Sequence, residues 1–88
     1  MAPFRNSETA SKALIQLGQI IRRRRKGSGL RIDDAAALAG VSVDLLSRLE
    51  NGKSGVATDR VLKVLDAMGL ALAVIDKTTG SVQRVSVE

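Results

Sequence analysis

Residues 35–53 run AAALAGVSVDLLSRLENGK, two short apolar-periodic segments separated by Ala39, Gly40, Val41 and Ser42. The first segment reaches back to Ile32 and is expected to be helical from Ile32 to Leu38, closed by Gly40. The second is expected to begin at Ser42, whose hydroxyl can accept from an unpaired amide of the first turn, and to run to about Glu50, where Asn51 and Gly52 stop it. A crossing of two such helices needs a small residue at the contact, and Ala36 supplies it. The turn between them needs a residue that tolerates positive φ, and Gly40 supplies that. Ala35, Ala39, Val41, Leu46 and Leu49 are then the contacts that fix the crossing angle. Val43, Asp44, Ser47 and Arg48 are left on the outer face.

Upstream, Ser7 is placed to cap a longer helix, with Glu8 in its first turn. Ala10, Ala13, Leu14, Leu17, Ile20 and Ile21 recur at spacings of three and four and predict one buried stripe. Gly27, Ser28 and Gly29 end the helix near Lys26. Arg24 falls inside the stripe and must snorkel or find a carboxylate, whereas Arg22, Arg23 and Lys26 point away. Downstream, Thr58 is expected to cap a fourth helix that buries Val61, Leu62, Leu65 and Met68 and ends at Gly69. There the period changes from helical to alternating. Leu70 to Ile75 is a β-prone apolar run, Asp76 to Gly80 is turn chemistry, and Val82, Val85 and Val87 follow with mostly polar residues between them. The expected fold is mainly α: a compact domain of four to five helices over residues 7–69, a C-terminal β-strand or hairpin over 70–88 for dimerisation, and a flexible arm at 1–6.

Composition narrows the function. A chain of 88 residues builds about one small core. With no Cys and no His, thiolate nucleophiles, imidazole bases, disulfides and most transition-metal sites are excluded, and neither an enzyme nor a cofactor is expected. The one aromatic residue, Phe4, offers no platform for stacking single-stranded bases. Of the 14 basic residues, five stand together as Arg22, Arg23, Arg24, Arg25 and Lys26, and the remaining nine balance the nine acidic ones. An excess so local fits a polyanion, nucleic acid first and an acidic membrane surface second. Membrane binding through the first helix would need large apolar anchors, which a stripe committed to a core does not offer. The longest apolar run, residues 67–75, is far below the roughly 20 residues that span a bilayer. Nothing at the start resembles a secretory signal, so a cytoplasmic protein is expected. Asp33, Asp34 and Asp59 hint at acid–base chemistry. However, Asp33 and Asp34 diverge by about 100° in the first turn of a helix, where its dipole already explains them.

Two short helices joined in this way have the geometry of a helix-turn-helix. Leu17, Gly18, Ile21, Arg22, Arg25, Gly29, Leu30, Ala36, Gly40, Val41, Ser42 and the run Leu46 to Lys53, LSRLENGK, resemble the Cro and phage-repressor type, the XRE family, over roughly residues 14–69. The resemblance implies a structural ion pair between Arg25 and Glu50. Two positions depart from it: Ile32 stands where the family often has a phosphate-binding Gln, and Arg24 where it usually has an apolar residue. The whole plan, four such helices followed by an apolar strand, is similar to the HipB-like antitoxins, whose C-terminal strand joins two subunits.

Charge runs at helix ends often do no more than complement the dipole, and an outer helix face can be idle. Beside this motif, Arg22, Arg23 and Lys26 are expected to contact phosphate. Ser42, Val43, Asp44, Ser47, Arg48, Asn51 and Lys53 are expected to contact bases or backbone, Asp44 accepting from cytosine N4. The expected function is a sequence-specific repressor that binds double-stranded DNA as a homodimer on a palindromic operator. The alternative is a HipB-like antitoxin that neutralises a cognate toxin protein and regulates its own operon.

Overall fold

The computed structural model describes residues 7–86; the arm expected at residues 1–6 and the strand residue Val87 lie outside the described residues. Four helices, α1 (Ser7–Gly27), α2 (Ile32–Ala39), α3 (Val43–Glu50) and α4 (Thr58–Ala67), precede a hairpin of β1 (Leu72–Ile75) and β2 (Val82–Val85). The architecture is the mainly α one with a C-terminal hairpin that the sequence predicts.

One device ends every helix. Gly29, Gly40, Gly52 and Gly69 have φ of 73°, 72°, 71° and 70°, the left-handed conformation that side chains resist. Each glycine amide donates to the carbonyl three residues back, at Lys26, Ala37, Leu49 and Asp66. The next amide donates to the carbonyl five residues back, so Leu30, Val41, Lys53 and Leu70 reach Arg25, Ala36, Arg48 and Leu65. This is the Schellman motif, which satisfies carbonyls the helix end would otherwise leave open. It also shortens the expected strand: Leu70 closes the cap of α4, and pairing begins only at Leu72.

The core consists of Ile21, Ala35, Ala36, Ala39, Leu46, Leu49, Val64, Leu65 and Met68. The stripe predicted for α1 is buried only in part: Ile21 is fully enclosed, Leu14 and Leu17 are half-buried, and Ala10, Ala13 and Ile20 are exposed. A helix of 21 residues is about 31 Å long at 1.5 Å per residue, and helices of eight to ten residues cannot cover it. On α4, Val61 and Leu62 are half-buried and Val64 takes the inner position. Thr58 does not cap α4. It is the first helical residue, because the Ala57 carbonyl already accepts from the Arg60 and Val61 amides. Likewise α1 already includes Ser7, so its cap position falls outside the described residues. No helix among the described residues is long and apolar enough to cross a membrane.

In the hairpin, Leu72 pairs with Val85, Ala73 with Arg84, Val74 with Gln83 and Ile75 with Val82. The turn is held by Asp76, whose carboxylate accepts from the Thr78 and Thr79 amides at 2.8 and 3.1 Å.

Candidate nucleic-acid interface

The two helices of the motif are fixed from beneath. Ala35, Ala36 and Ala39 of α2 are buried in one core cluster with Leu46 and Leu49 of α3. Ser42 caps α3, its Oγ accepting from the Leu45 amide at 3.0 Å. The far end of α3 is pinned to α1. Gly18 meets the carbonyls of Leu49 and Glu50 so closely that a Cβ there would sit 2.5 Å from both oxygens. Arg25 donates through Nε and Nη2 to the two Glu50 carboxylate oxygens at 2.7 and 2.8 Å, and through Nη1 to the Leu30 carbonyl at 3.1 Å. Arg25 and Glu50 are each 8% exposed, and the bond to Glu50 holds the guanidinium proton more firmly than usual, against the opposing effect of burial. The implied pair thus exists as a two-point bond joining α1, its cap and α3.

This scaffold leaves the outer face of α3 open. Val43, Asp44 and Arg48 are exposed and Ser47 is half-buried. Arg48 folds back, its Nη2 3.5 Å from the Ser54 carbonyl, the outer limit of a hydrogen bond. Asn51 uses one amide hydrogen on the Ser47 carbonyl at 2.8 Å, so it serves the end of α3 first. Beyond it Lys53 is exposed. Leu38 of α2, off the Ala35, Ala36 and Ala39 stripe, is 62% exposed.

The basic run divides by direction. Gly52 lies on the backbone of Ile15, where a Cβ would come within 2.7 Å of Ile15 Cα, so Ile15 marks the flank of α1 that faces the exit of α3. At about 100° per residue, Arg22 and Lys26 lie within about 20° of Ile15, Arg23 is about 80° away and Arg24 is opposite. Arg24 finds no carboxylate. Its Nη1 donates to the Met68 carbonyl at 3.3 Å, capping the end of α4, an arrangement favoured by the negative pole of that helix. Among the described residues the ion pairs are Arg25–Glu50, Arg31–Asp33 and Arg60–Asp59, which leaves Arg22, Lys26, Arg48 and Lys53 outside any ion pair. No group of three or more metal-ligating side chains occurs among the described residues.

Residues 16–77 match the model of a family described as a helix-turn-helix domain. The chain is also similar to an uncharacterized HTH-type transcriptional regulator, y4mF, of Sinorhizobium fredii, with 33% identity over 64 residues, 73% of this chain and 84% of that protein.

Proposed function

The chain belongs to the helix-turn-helix domain family, and from that premise we propose that it is a sequence-specific regulator of the Cro and phage-repressor type, which binds double-stranded DNA as a homodimer and represses transcription from a palindromic operator. The observation that carries this reading is the open outer face of α3 flanked by cations outside any ion pair among the described residues. Arg48, released from its long bond to Ser54, reaches a guanine edge. Val43 suits a thymine methyl, and Asp44 accepts from cytosine N4. Lys53, Arg22 and Lys26 grip phosphates on either side, with the Ser42 hydroxyl and the remaining amide hydrogen of Asn51 as further donors. Arg23 is turned furthest from this surface among the three cations first assigned to phosphate. Ile32 and the acidic Asp33 and Asp34 give the start of α2 no phosphate grip, so the cations of α1 take that part.

The test is titration of duplex DNA over a range of salt. With about three phosphate-contacting cations per subunit, log K falls against log salt with a slope of roughly −5, at about −0.9 per phosphate. A slope near zero, or equal affinity for single strands, contradicts the proposal.

A further inference from the structure

In Asn51–Gly52 an asparagine carboxamide is followed by the residue least able to keep its own backbone nitrogen away from it, because glycine has no Cβ to shield that nitrogen. The pair stands at the end of α3, with Asn51 as the C-cap and exposed to solvent. Three contacts tie it down. The Gly52 amide donates to the Leu49 carbonyl at 3.1 Å, Asn51 Nδ2 donates to the Ser47 carbonyl at 2.8 Å, and Gly52 lies against the backbone of Ile15 in α1. Asn51 is held at φ −91° and ψ 8°, in the bridge region beside the helical one. For the Gly52 nitrogen to reach Asn51 Cγ, ψ must turn far from this value and both hydrogen bonds must break. The preceding residue, Glu50, is itself fastened to Arg25 of α1 at two points. The contact that joins α3 to α1 therefore also restrains the Asn51–Gly52 bond.

We propose that Asn51–Gly52 is a deamidation site gated by the contact between α1 and α3, closed while the cap holds and reactive when that end of α3 opens. In the open state the Gly52 nitrogen attacks Asn51 Cγ and forms the new C–N bond of a cyclic imide. The bond from Cγ to Nδ2 breaks, and the side-chain nitrogen leaves as ammonia with the proton of the Gly52 amide. Water then opens the ring at either carbonyl and leaves an aspartyl or isoaspartyl residue at position 51. The imide has no amide hydrogen for the Leu49 carbonyl, so the cap does not re-form around it. Both final products exchange an amide donor for a negative charge, which opposes an approaching phosphate. The loss of DNA binding that follows rests on the DNA-binding reading, whereas the chemistry of the site does not.

The experiment incubates the full chain at mildly alkaline pH, folded and in guanidinium chloride, and follows the mass gain of amide-to-acid conversion at residue 51 by peptide mapping. Folded Arg25→Ala, Gly18→Ala and Asp76→Ala are treated alongside. Conversion is expected to be fast in denaturant and slow in the folded parent. Arg25→Ala removes the tie to Glu50 and is expected to convert faster than the folded parent by about tenfold or more. Gly18→Ala presses on the same end of α3 without removing a charge and is expected to convert faster as well, while Asp76→Ala, in the hairpin, keeps the parental rate. Equal rates in the folded and denatured parent, no conversion at residue 51 in denaturant, parental rates in both Arg25→Ala and Gly18→Ala, or an equal rise in Asp76→Ala would each overturn the gated site. Asn51→Asp is expected to lose affinity for duplex DNA relative to the parent. Parental binding by Asn51→Asp overturns the consequence for DNA and leaves the deamidation site standing, and a parent chain that ignores duplex DNA overturns the DNA-binding reading alone.

Discussion

Arg25 and Gly18 show how single residues hold α3 in place. The Arg25 guanidinium is shared between the Glu50 carboxylate and the Leu30 carbonyl, so its removal strands a buried carboxylate and an acceptor at once. Arg25→Ala is expected to cost about 3 to 5 kcal/mol, a large part of the roughly 5 to 15 kcal/mol available to a domain; unchanged thermal unfolding would refute the structural role. Gly18 makes the opposite kind of demand, for space. A methyl there would meet two backbone oxygens at 2.5 Å, and backbone cannot swing aside as a flexible side chain does. Gly18→Ala is therefore expected to destabilise by about 1 to 3 kcal/mol. Gly27→Ala, where nothing lies within 4 Å of the added carbon, is expected to stabilise by about 0.5 to 1 kcal/mol. Chemical denaturation of the two variants with the parent decides between these signs. Both features were partly legible: Gly18 and the Arg25–Glu50 pair stood among the residues that carried the family resemblance. Their geometry was not, since a close approach between helices far apart in sequence leaves no local pattern.

At the scale of elements, the helix ends were the most legible feature, because a glycine with positive φ is a local requirement written in one residue. The N-terminus of α4 was not, since an Ala–Thr pair offers the chain two starts and the Ala57 carbonyl took the first amides. For α3, the proposed roles divide by place: Arg48 stands on the outer face, while Lys53 follows the cap. Arg48→Ala is expected to lose about 1 to 3 kcal/mol per half-site on the preferred sequence and little on scrambled duplex, whereas Lys53→Ala weakens both alike. Two variants that behave identically on the two duplexes would remove the distinction. The hairpin turn supplies a pH-dependent element. Hydrogen bonds from the Thr79 and Thr78 amides hold the Asp76 carboxyl below its ordinary range. A pKa depressed by folding stabilises the turn above the unfolded value and loses that support as pH falls through the folded one. The Thr78 and Thr79 amides are thus expected to exchange hydrogen faster in Asp76→Ala near neutral pH, and the parent to approach the variant only in acid. Exchange rates that Asp76→Ala leaves unchanged at neutral pH would show that the carboxylate does not hold the turn.

The whole molecule joins a helical body with a closed core to a hairpin that has none of its own. Ile75 and Val82 are 60% and 61% exposed and Val74 is 58% exposed, although the strand is apolar at every position. The Leu72–Val85 side looks toward α4, but a groove of about 340 Å³ bounded by Leu62, Leu65 and Asp66 remains between them. An apolar strand predicted full cover, and one chain provides little of it: sequence shows how much surface wants burial, not whether the burying atoms belong to the same chain. An isolated two-stranded hairpin is marginal in water, and its open edges accept a further strand. A second copy answers both needs, since two hairpins paired about a two-fold axis form a wider sheet and cover apolar faces that each leaves bare. In the proposed dimer the same axis would set the two α3 helices on successive turns of one face of the duplex, as a palindromic operator requires. Arg24 bears on this geometry, because its bond to Met68 and its approach to Gly69 brace the junction from which the hairpin departs. Truncation after Ala71 keeps Leu70 in the cap of α4, the Arg24–Met68 bond and all four helices, and removes the proposed contact. The truncated chain is expected to sediment as a monomer with its helix content intact, and to bind operator DNA far more weakly than the full chain, with a salt slope about half as steep. If it sediments as a dimer with full affinity, the two-fold contact lies among the helices and the hairpin has another role.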